Sequence, residues 1–358
     1  MSATSTLRNA AAPQVPSADI APASDLPPHV QLIQMAVALW TARAAYAAAK
    51  LRLPDLLADG PRTAADLAQA AGMDTAALYR LMRALASRGV FTEIEPQRFA
   101  LTALGTALKS GAPGGARAAI LTLAGDWQWK AWDNFLFSLR TGKPALGAAF
   151  GQPLFDYLTT HPNDGALFNE AMIGMHGAVG AAVVEAYDFS RFRSVIDVGG
   201  GTGTLLRHIL QANENLRGTL FDLPDTVHEA RRAVSESGLS ARCECVAGDF
   251  FKDVPAGHDA YVMAHVLHDW TDEQALPILR NCRRAMGGDG RLLIVEAVLP
   301  TGDVPHHGKM MDLLMLAVTG GLERTAEQFD SLLGAAGFRM TRVVPTSTHQ
   351  SIIEAIAA

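Results

Sequence analysis

The pattern of apolar and polar positions divides the chain into a helical first half and an alternating second half. From about residue 190 onward, short apolar runs alternate with helical patterns, which predicts βαβ units around a parallel sheet. The last two runs lie close together and predict a terminal antiparallel hairpin. The predicted fold class is therefore α/β with a doubly wound sheet, whose strands are SVIDVG, GTLFDL, RCECVAGD, DAYVMAHVL, RLLIVEAVL, FRMTRVVPT and SIIEAIA.

Residues 29–110 are predicted to be mostly helical. A helix over 30–50 is followed by two shorter helices, which Thr63 and Asp74 cap at their starts. These two helices and the β-rich segment VFTEIEPQRFALT are typical of a winged helix, a motif that often binds DNA. A scaffold or a dimer interface is the other interpretation, and the acidic chain favours it. The second short helix is predicted to carry three arginines, Arg80, Arg83 and Arg88.

The helical stretch 111–187 is rich in aromatic and methionine side chains, among them Phe168 and Met172. Such a stripe forms either core or the wall of a pocket for an aromatic ligand. The first 28 residues are rich in Ala, Pro and Ser, which predicts a disordered tail. The predicted organisation is a tail over 1–28, a winged-helix-like domain over 29–110, a helical linker and pocket segment over 111–187, and the α/β domain over 188–358.

Charge and cysteine usage narrow the classes of partner and compartment. The 30 basic and 36 acidic residues give a net charge of −6, which argues against nucleic acid or an anionic membrane as partner. The three cysteines are too few for a disulfide framework, so a reducing, cytoplasmic compartment is predicted. No uninterrupted apolar run of about 18 residues occurs, so we predict a soluble protein without a membrane span.

A glycine-rich loop follows the first predicted strand of the sheet. The sequence VIDVGGGTG places Gly199, Gly200 and Gly201 before a helix, with Asp197 inside the strand. Glycines in such a loop adopt positive φ and let a ligand approach the backbone closely. The spacing lacks the third glycine of G-x-G-x-x-G, which disfavours an NAD-dependent oxidoreductase.

The ends of the next two predicted strands carry acids and an aromatic residue. Asp222 and Leu223 follow the glycines by about 20 residues, where a carboxylate accepts hydrogen bonds from ribose hydroxyls. Asp249 and Phe250 end the third strand, positioned for the edge and face of an adenine. Each acid alone is equally well explained as a surface residue at a strand end. Together with the glycine loop, they indicate an adenosine-bearing ligand.

Six motifs follow one another in the second half of the chain, within a resemblance that runs from about residue 30 to the C-terminus: YDFSRFRSVIDVGGGTG, FDLP, GDFF, HVLHDW, IVEAVLP and GGLERTAEQF. In this order they resemble the S-adenosylmethionine-dependent O-methyltransferases of the plant caffeate type and their bacterial relatives. The resemblance implies a Rossmann-like methyltransferase domain that binds S-adenosylmethionine without a metal. It also implies a homodimer formed mainly by the N-terminal region, and an aromatic hydroxyl compound as the acceptor.

The motif HVLHDW ends the fourth predicted strand. On an extended strand His265 and His268 would point to opposite faces, which disfavours a metal site that uses both. A catalytic base is the better interpretation of His268, because an imidazole with an ordinary pKa near ~6.5 can accept a hydroxyl proton. Glu296 and Glu323 are the candidate carboxylates that hold its tautomer. A hydrogen-bonded core histidine and two structural acids are the alternatives.

The resemblance assigns the same roles to His268, Glu296 and Glu323. It further implies that His176 lies near the cofactor carboxylate. The chain departs from the plant pattern at Ala264, where plant enzymes have a lysine near the adenine, and before GGLERT, where one residue and a substrate-facing Asn are missing. The acceptor pocket is predicted to consist of Phe168, Met172, Asp269, Trp270 and Met315.

Two other functions stay open on the sequence alone. An enzyme of the same fold could bind S-adenosylmethionine and catalyse decarboxylation, hydroxylation or a pericyclic step, none of which needs His268 as base. A ligand-responsive DNA-binding regulator would need a basic surface on the second short helix and would bind DNA in a salt-dependent way. The sequence predicts neither the identity of the acceptor nor whether its methylated atom is oxygen or nitrogen.

Overall fold

The structure is a computed structural model that describes residues 26–358. Residues 1–25, most of the predicted tail, lie outside the described residues. The helices are α1 (Pro28–Lys50), α2 (Leu53–Leu56), α3 (Ala64–Ala71), α4 (Thr75–Ala86), α5 (Ala103–Ala107), α6 (Ala116–Leu123), α7 (Asp126–Asp133), α8 (Phe135–Thr141), α9 (Ala145–Phe150), α10 (Leu154–Thr160), α11 (Pro162–His176), α12 (Val179–Ala186), α13 (Thr204–Ala212), α14 (Pro224–Glu236), α15 (Asp272–Ala285), α16 (His307–Val318) and α17 (Ala326–Ala335). The strands are β1 (Arg62–Thr63), β2 (Phe91–Glu95), β3 (Arg98–Leu101), β4 (Ser194–Val198), β5 (Arg217–Asp222), β6 (Cys243–Ala247), β7 (Ala260–Ala264), β8 (Arg291–Glu296), β9 (Val298–Leu299), β10 (Arg324–Thr325), β11 (Phe338–Pro345) and β12 (Ser351–Ala357).

The N-terminal region combines helices α1–α5 with a small antiparallel sheet in the order β1-β3-β2. The two predicted caps are confirmed: the Thr63 side chain accepts a hydrogen bond at the start of α3, and the Asp74 side chain does so at the start of α4. Arg88 lies two residues beyond the end of α4 rather than on that helix. The pair of short helices and the β-rich segment therefore occur as predicted.

Helix α1 packs on this region mainly through its C-terminal end, where Ala48 and Ala49 are buried. Two helical stretches, 28–50 and 162–186, have the length and mean hydropathy that a membrane span requires. The second contains α11 and α12, which pack against α6 and α13 in the fold. The remainder of α1 exposes large apolar side chains, namely Leu32, Ile33, Met35, Leu39 and Trp40.

The seven predicted strands form one sheet in the order β11-β12-β8-β7-β4-β5-β6. The five strands from β8 to β6 are parallel, whereas β12 pairs antiparallel with both β8 and β11. The predicted terminal hairpin is therefore confirmed. The strand order reverses between β4 and β7, so the loops after these two strands flank a crevice of the kind in which ligands bind.

Apolar clusters cover both faces of this sheet. On one face, helices α15 and α17 bury Leu279 and Phe329; on the other, α13 and α14 bury Ile209 and Val227. The predicted capping box of α17 is present, with Thr325 accepting from the backbone of Gln328. Because both faces are covered by helices, the ends of the strands are where polar side chains gather.

The fourth predicted strand is shorter than its apolar run. β7 ends at Ala264, His265 adopts a left-handed φ of 54°, and residues 267–269 form a 3-10 turn. We call residues 265–270 the histidine turn. It leads directly into α15, whose start is fixed by a capping box between Thr271 and Gln274.

A short parallel pair, β9 with β10, joins two distant parts of the chain. Arg324 pairs with Val298, and Thr325 pairs with Leu299. Because β9 follows directly on β8, this pairing places the GGLERT segment beside the end of β8. Glu323 is thereby brought to the same edge of the sheet as Glu296.

Candidate active site

The glycine loop after β4 is held against the end of β5. Gly199 and Gly201 have φ values of 72° and 58°, in the left-handed region that favours glycine. The Gly201 backbone N–H donates to Asp222 Oδ2 at 2.8 Å, and the other oxygen of Asp222 accepts from Leu223. A Cβ on Gly200 would lie 2.8 Å from the carboxyl carbon of Asp197, so the loop passes directly over that acid.

Asp197 is an acid without a polar partner beneath this loop. The residue is 1% exposed, and neither of its carboxyl oxygens has a hydrogen-bond partner among the described residues. Burial and the nearby charge of Asp222 raise its pKa to about 7. Such an uncompensated carboxyl group is suited to pair with a cationic group of a ligand.

Aromatic side chains border the loop on the β6 side. A Cβ on Gly199 would lie 3.4 Å from the Phe250 ring, and Asp249 hydrogen-bonds the backbone N–H of Phe251. Trp270 meets Phe251 edge to face at a centroid distance of 4.8 Å and Phe250 at 6.3 Å. Trp270, predicted for the acceptor pocket, therefore lies beside Phe250, which was predicted for the cofactor.

His268 and Glu323 are in direct contact. The distance from His268 Nδ1 to Glu323 Oε1 is 2.9 Å, and the side chains are 13% and 2% exposed. Because an ionised carboxylate can only accept a hydrogen bond, Nδ1 carries the proton and donates it. The opposite nitrogen, Nε2, is then the one that can accept a proton from a ligand.

The surroundings of His268 change its acidity. Burial by itself lowers the pKa of the imidazole, but the charges of Asp269 and Glu296 and the hydrogen bond to Glu323 outweigh it and raise this pKa to about 10. The ordinary pKa near ~6.5 assumed from the sequence is therefore wrong for His268 in this structure. Burial also raises the pKa of Asp269 and that of Glu296, so both carboxyl groups take up a proton more readily here than in water.

Glu296 contacts the backbone of the histidine turn. Its Oε1 accepts from the N–H groups of Val266, Leu267 and His268 at 3.2, 2.6 and 3.2 Å. Its Oε2 has no hydrogen-bond partner among the described residues. Sequence reasoning grouped the two glutamates as flanking carboxylates, whereas in the structure only Glu323 is hydrogen-bonded to the imidazole.

Helix α11 contacts the histidine turn through its last residue. Phe168, Met172 and His176 recur every four residues, which places them on the same side of the helix. The His176 ring stacks on that of His265 with a centroid distance of 3.7 Å and an interplanar angle of 5°. Burial lowers the pKa of His176 to about 4, with a contribution from the charge of His268. Burial, with the charges of His176 and His268, lowers the pKa of His265 well below its ordinary value, so both stacked rings are neutral at neutral pH.

Helix α16 contacts the segment that presents Glu323. Met315 is 8% exposed, and one turn earlier Asp312 accepts a hydrogen bond from the backbone N–H of Glu323 at 2.9 Å. Burial raises the pKa of Asp312. The helix therefore carries a predicted pocket residue and also fixes the segment that presents Glu323.

The predicted separation of the two histidines in HVLHDW is wrong. The rings of His265 and His268 are neighbours, with centroids 5.5 Å apart. The reason is that the strand ends at Ala264 and the chain turns, so the alternation of an extended strand does not apply. Over residues 26–358, no group of three or more His, Cys, Asp or Glu side chains is arranged to hold a metal ion.

Four residues of the site were not identified from the sequence: His265, Asp312, Gly321 and Arg324. Arg324 follows Glu323 in the GGLERT motif and is completely buried, with four hydrogen bonds. A Cβ on Gly321 would lie 2.0 Å from the carbonyl oxygen of His268. Gly321 and Arg324 both belong to the GGLERT motif. The residues of the histidine turn that they contact lie about 50 positions earlier in the chain, so no local sequence pattern predicts these contacts.

Two family models match the chain. One is described as an O-methyltransferase domain and matches residues 132–339; the other is described as an O-methyltransferase dimerisation domain and matches residues 33–111. Together they cover both the α/β region and the N-terminal helical region.

Individual relatives cover nearly the whole chain. The phenazine O-methyltransferase of Lysobacter antibioticus is 45% identical over 324 residues, 90% of this chain and 95% of its own. The 8-amino-8-demethylriboflavin N,N-dimethyltransferase of Streptomyces davaonensis is 38% identical over 90% of this chain and 94% of its own.

A solved structure of similar fold contains the cofactor. It is the O-methyltransferase of neocarzinostatin biosynthesis in complex with S-adenosylmethionine and 2-hydroxy-5-methyl naphthoic acid. The TM-score is 0.78 and the identity 36%, and the match covers 89% of this chain and 96% of that one. With the two family models and these relatives, the chain is assigned to the family of S-adenosylmethionine-dependent O-methyltransferases, with a methyltransferase domain preceded by a dimerisation domain.

Proposed function

We propose that this enzyme transfers a methyl group from S-adenosylmethionine to a hydroxyl group of a planar aromatic small molecule, with His268 as the general base. The observation that carries the proposal is the 2.9 Å contact between His268 Nδ1 and Glu323, which leaves Nε2 as the proton acceptor. This imidazole belongs to the turn after β7, next to the glycine loop after β4, at the reversal point of the sheet.

The residues around the glycine loop fit S-adenosylmethionine. The carboxyl group of Asp197, buried and without a partner, suits the amino group of the methionine part, and Asp222 suits the two ribose hydroxyls. When bound, the cofactor supplies an electrophilic methyl group on a sulfonium centre. We further propose that Asp249, Phe250 and Trp270 border the adenine, which moves Trp270 from the acceptor side to the cofactor side. The backbone of Gly199, Gly200, Gly201 and Leu223 and the side chain of His176 would line the rest of the cofactor.

The base works at a matched pKa. A phenol has a pKa near ~10, close to the value of about 10 that the surrounding acids give His268, so proton transfer between the two is nearly balanced in free energy. At neutral pH the resting pair is an imidazolium and a neutral phenol. One proton must leave this pair before the imidazole can accept the phenol proton. Activity should therefore increase with pH up to the apparent pKa of His268. No role is assigned to a metal, because the imidazole and its carboxylates suffice to remove the proton.

The acceptor class follows from the side chains near the base. Phe168, Met172 and Met315 offer an apolar wall for a planar ring, and Asp269 offers one acceptor for a hydrogen bond. The relatives act, by their names, on a phenazine and on an aminoriboflavin, and the structural relative was solved with a naphthoic acid. We therefore propose a secondary metabolite with fused aromatic rings and a free hydroxyl group.

The quaternary state and location belong to the same proposal. Helix α1 exposes large apolar side chains within a segment that matches a dimerisation domain, and this supports a homodimer. Three free cysteines and the acidic net charge of −6 support a cytoplasmic enzyme without a nucleic-acid partner. The domain limits of 29–110, 111–187 and 188–358 remain predictions.

The test is release of S-adenosylhomocysteine with a panel of aromatic hydroxyl and amino compounds, with the products analysed by mass. The proposal predicts one added methyl group on a fused-ring hydroxyl compound, and a loss of about 100-fold or more in His268→Ala. Methylation that is insensitive to this substitution contradicts the base. Binding of the cofactor without any methyl transfer would favour a non-methylating reaction of the same fold, such as decarboxylation, hydroxylation or a pericyclic step.

A further inference from the structure

Arg324 is a fully buried cation whose hydrogen bonds end on the histidine turn. It is 0% exposed. Its Nη1 donates to the carbonyl oxygen of Leu267 at 3.0 Å, and its Nη2 donates to that of Trp270 at 2.9 Å. These two carbonyl groups stand on either side of His268 in the chain. The guanidinium therefore spans the segment that carries the base.

The remaining donors of Arg324 tie the guanidinium to its surroundings. Nε donates to Asp272 Oδ1 at 2.9 Å, in the first turn of α15, and Nη1 also contacts the carbonyl oxygen of Leu322 at 3.3 Å. A planar guanidinium has its donors in a fixed geometry, so contacts on three sides fix its position and orientation. A lysine ammonium has the same charge but cannot span these acceptors.

Glu296 holds the same turn by its other set of backbone groups. Its Oε1 accepts from the N–H groups of Val266, Leu267 and His268, while Arg324 binds carbonyl groups of the turn. The carboxylate of Glu296 thus binds backbone N–H groups of the turn, and the guanidinium of Arg324 binds its backbone carbonyl groups. Gly321 closes the remaining side, since even a Cβ there would overlap the carbonyl group of His268.

Arg324 and Glu296 act on the backbone of the histidine turn and not on the imidazole ring of His268. Neither Arg324 nor Glu296 is hydrogen-bonded to the imidazole, whose partner is Glu323. Backbone hydrogen bonds also hold the histidine turn: the His265 N–H donates to Val295 at 3.2 Å, and the N–H groups of Asp269 and Trp270 donate to Val266 and Leu267 at 3.3 and 3.1 Å. Arg324 and Glu296 add the side-chain contacts to this backbone, so the position of Nε2 depends on the two buried charges as well.

We propose that Arg324 is a positioning residue for the base, and that with Glu296 it forms a clamp that fixes the backbone of the histidine turn and thereby the position of His268 Nε2. This inference rests on the proposed role of His268. A clamp of this kind affects the rate of proton removal more than the binding of the cofactor, because the glycine loop and Asp222 have no hydrogen bond to Arg324, and only the backbone carbonyl of Trp270 links the clamp to the proposed adenine site.

A double-mutant cycle tests the proposal. Single-turnover methyl transfer is measured for the wild type, Arg324→Lys, His268→Ala and the double variant, and the Kd for S-adenosylhomocysteine is measured for each by calorimetry. A displacement of the base by about 1 Å costs on the order of 100-fold in rate. We expect that loss for Arg324→Lys in the wild-type background and about no further loss on His268→Ala, with Kd values within about twofold.

The outcomes separate the two hypotheses. An equal loss in both backgrounds shows a general structural effect and overturns the clamp. A loss in His268→Ala without a loss in Arg324→Lys overturns the clamp alone. Full activity of His268→Ala contradicts the proposed base itself, and the clamp with it.

A milder pair of variants decides the question if Arg324→Lys does not fold. Asp272→Ala removes the anchor of the guanidinium from a position that is 59% exposed, so it leaves no buried cavity. Glu273→Ala is the matched control, because it removes the next acid from the same first turn of α15 but has no bond to Arg324. The clamp predicts a loss of about tenfold in rate for the first and an unchanged rate for the second. Equal rates in the two variants overturn it.

Discussion

In the described residues, 26–358, buried glutamates occur in two ionic clusters that differ in how completely their carboxyl groups are hydrogen-bonded. One lies where the terminal hairpin meets the end of α12, around Glu354; the other is the site around His268. In the first cluster, Glu354 accepts four hydrogen bonds. The Tyr187 hydroxyl donates to it at 2.6 Å, the Thr341 hydroxyl at 2.9 Å, and Arg191 and Arg342 at 3.0 Å each. Both carboxyl oxygens of Glu354 therefore have partners.

The cluster around His268 is left incomplete. One oxygen of Glu296 and one of Glu323 have no hydrogen-bond partner among the described residues, although both groups are buried. The pKa values respond in opposite directions. Burial raises the pKa of Glu296, whereas the hydrogen bonds from Tyr187 and Arg342 outweigh burial and lower the pKa of Glu354 to about 2.

This contrast separates stability from function. A buried charge with all its partners stabilises the native state as long as none of them is removed. A buried carboxyl oxygen without a hydrogen-bond partner destabilises the native state, and such groups occur mainly at functional sites. Substitutions in the two clusters should therefore have opposite signatures, one in folding and the other in rate.

The largest effect is expected from Glu323→Gln. An amide can offer its N–H to the imidazole and thereby select the wrong tautomer, so the rate of methyl transfer should fall by on the order of 100-fold or more. The free energy of unfolding should decrease less than in Glu354→Gln, because the weakened contact with His268 is partly offset by the neutralisation of one of several crowded acids. Steady-state rates and urea denaturation measure both quantities. A stability loss that parallels the rate loss would place Glu323 in the same class as Glu354.

The reverse signature is expected from Glu354→Gln. Removal of this charge leaves two arginines and a tyrosine with a weakened partner, which costs about 1–2 kcal/mol of unfolding free energy because both arginines are roughly half exposed. The rate at 25 °C should stay unchanged. Since the folded pKa is lowered, the stabilisation is present above the ordinary pKa of about 4.5 and disappears as the pH falls towards about 2. The variant should thus lose less stability than the wild type between these pH values; parallel acid-unfolding curves would contradict the assignment.

The smallest effect is a shift of the pH profile in Asp269→Asn. The negative charge of Asp269 raises the pKa of His268, so its removal lowers that pKa, and the acidic limb of kcat/KM should move to lower pH by about one unit. Profiles of kcat/KM against pH for the variant and the wild type give the shift directly. Glu273→Gln, an exposed acid in the first turn of α15, is the control with an unmoved limb. A shift to higher pH would refute the assigned sign.

Much of the fold could be predicted because its signals are local. The seven strands, the terminal hairpin and the caps at Thr63, Asp74 and Thr325 depend on neighbouring residues, and all are present. The end of β7 could not be predicted in this way. Val266 and Leu267 are buried like strand residues, so the apolar run continues after the hydrogen-bond ladder has stopped at Ala264.

The sequence allowed most residues of the site to be predicted, but not which of them are hydrogen-bonded to each other. His268, Glu296 and Glu323 were selected from separate motifs, and the fold brings them together. That Glu296 binds backbone N–H groups, and that Arg324 binds the carbonyl groups of the same turn, depends on the β9–β10 pairing of distant segments. The pKa of His268 likewise depends on three acids that only the tertiary structure places around it.

The most direct test of His268 as base is how the rate ratio between wild type and His268→Ala depends on the pKa of the acceptor, measured in single turnovers at one neutral pH. An acceptor that is already ionised needs no base, whereas an ordinary phenol, with a pKa near ~10, is neutral at that pH. We predict a ratio of about 100-fold or more for ordinary phenols and a much smaller ratio for acceptors whose pKa lies well below the assay pH. A ratio that does not change with the pKa of the acceptor, or that is near one throughout, would contradict the role of His268.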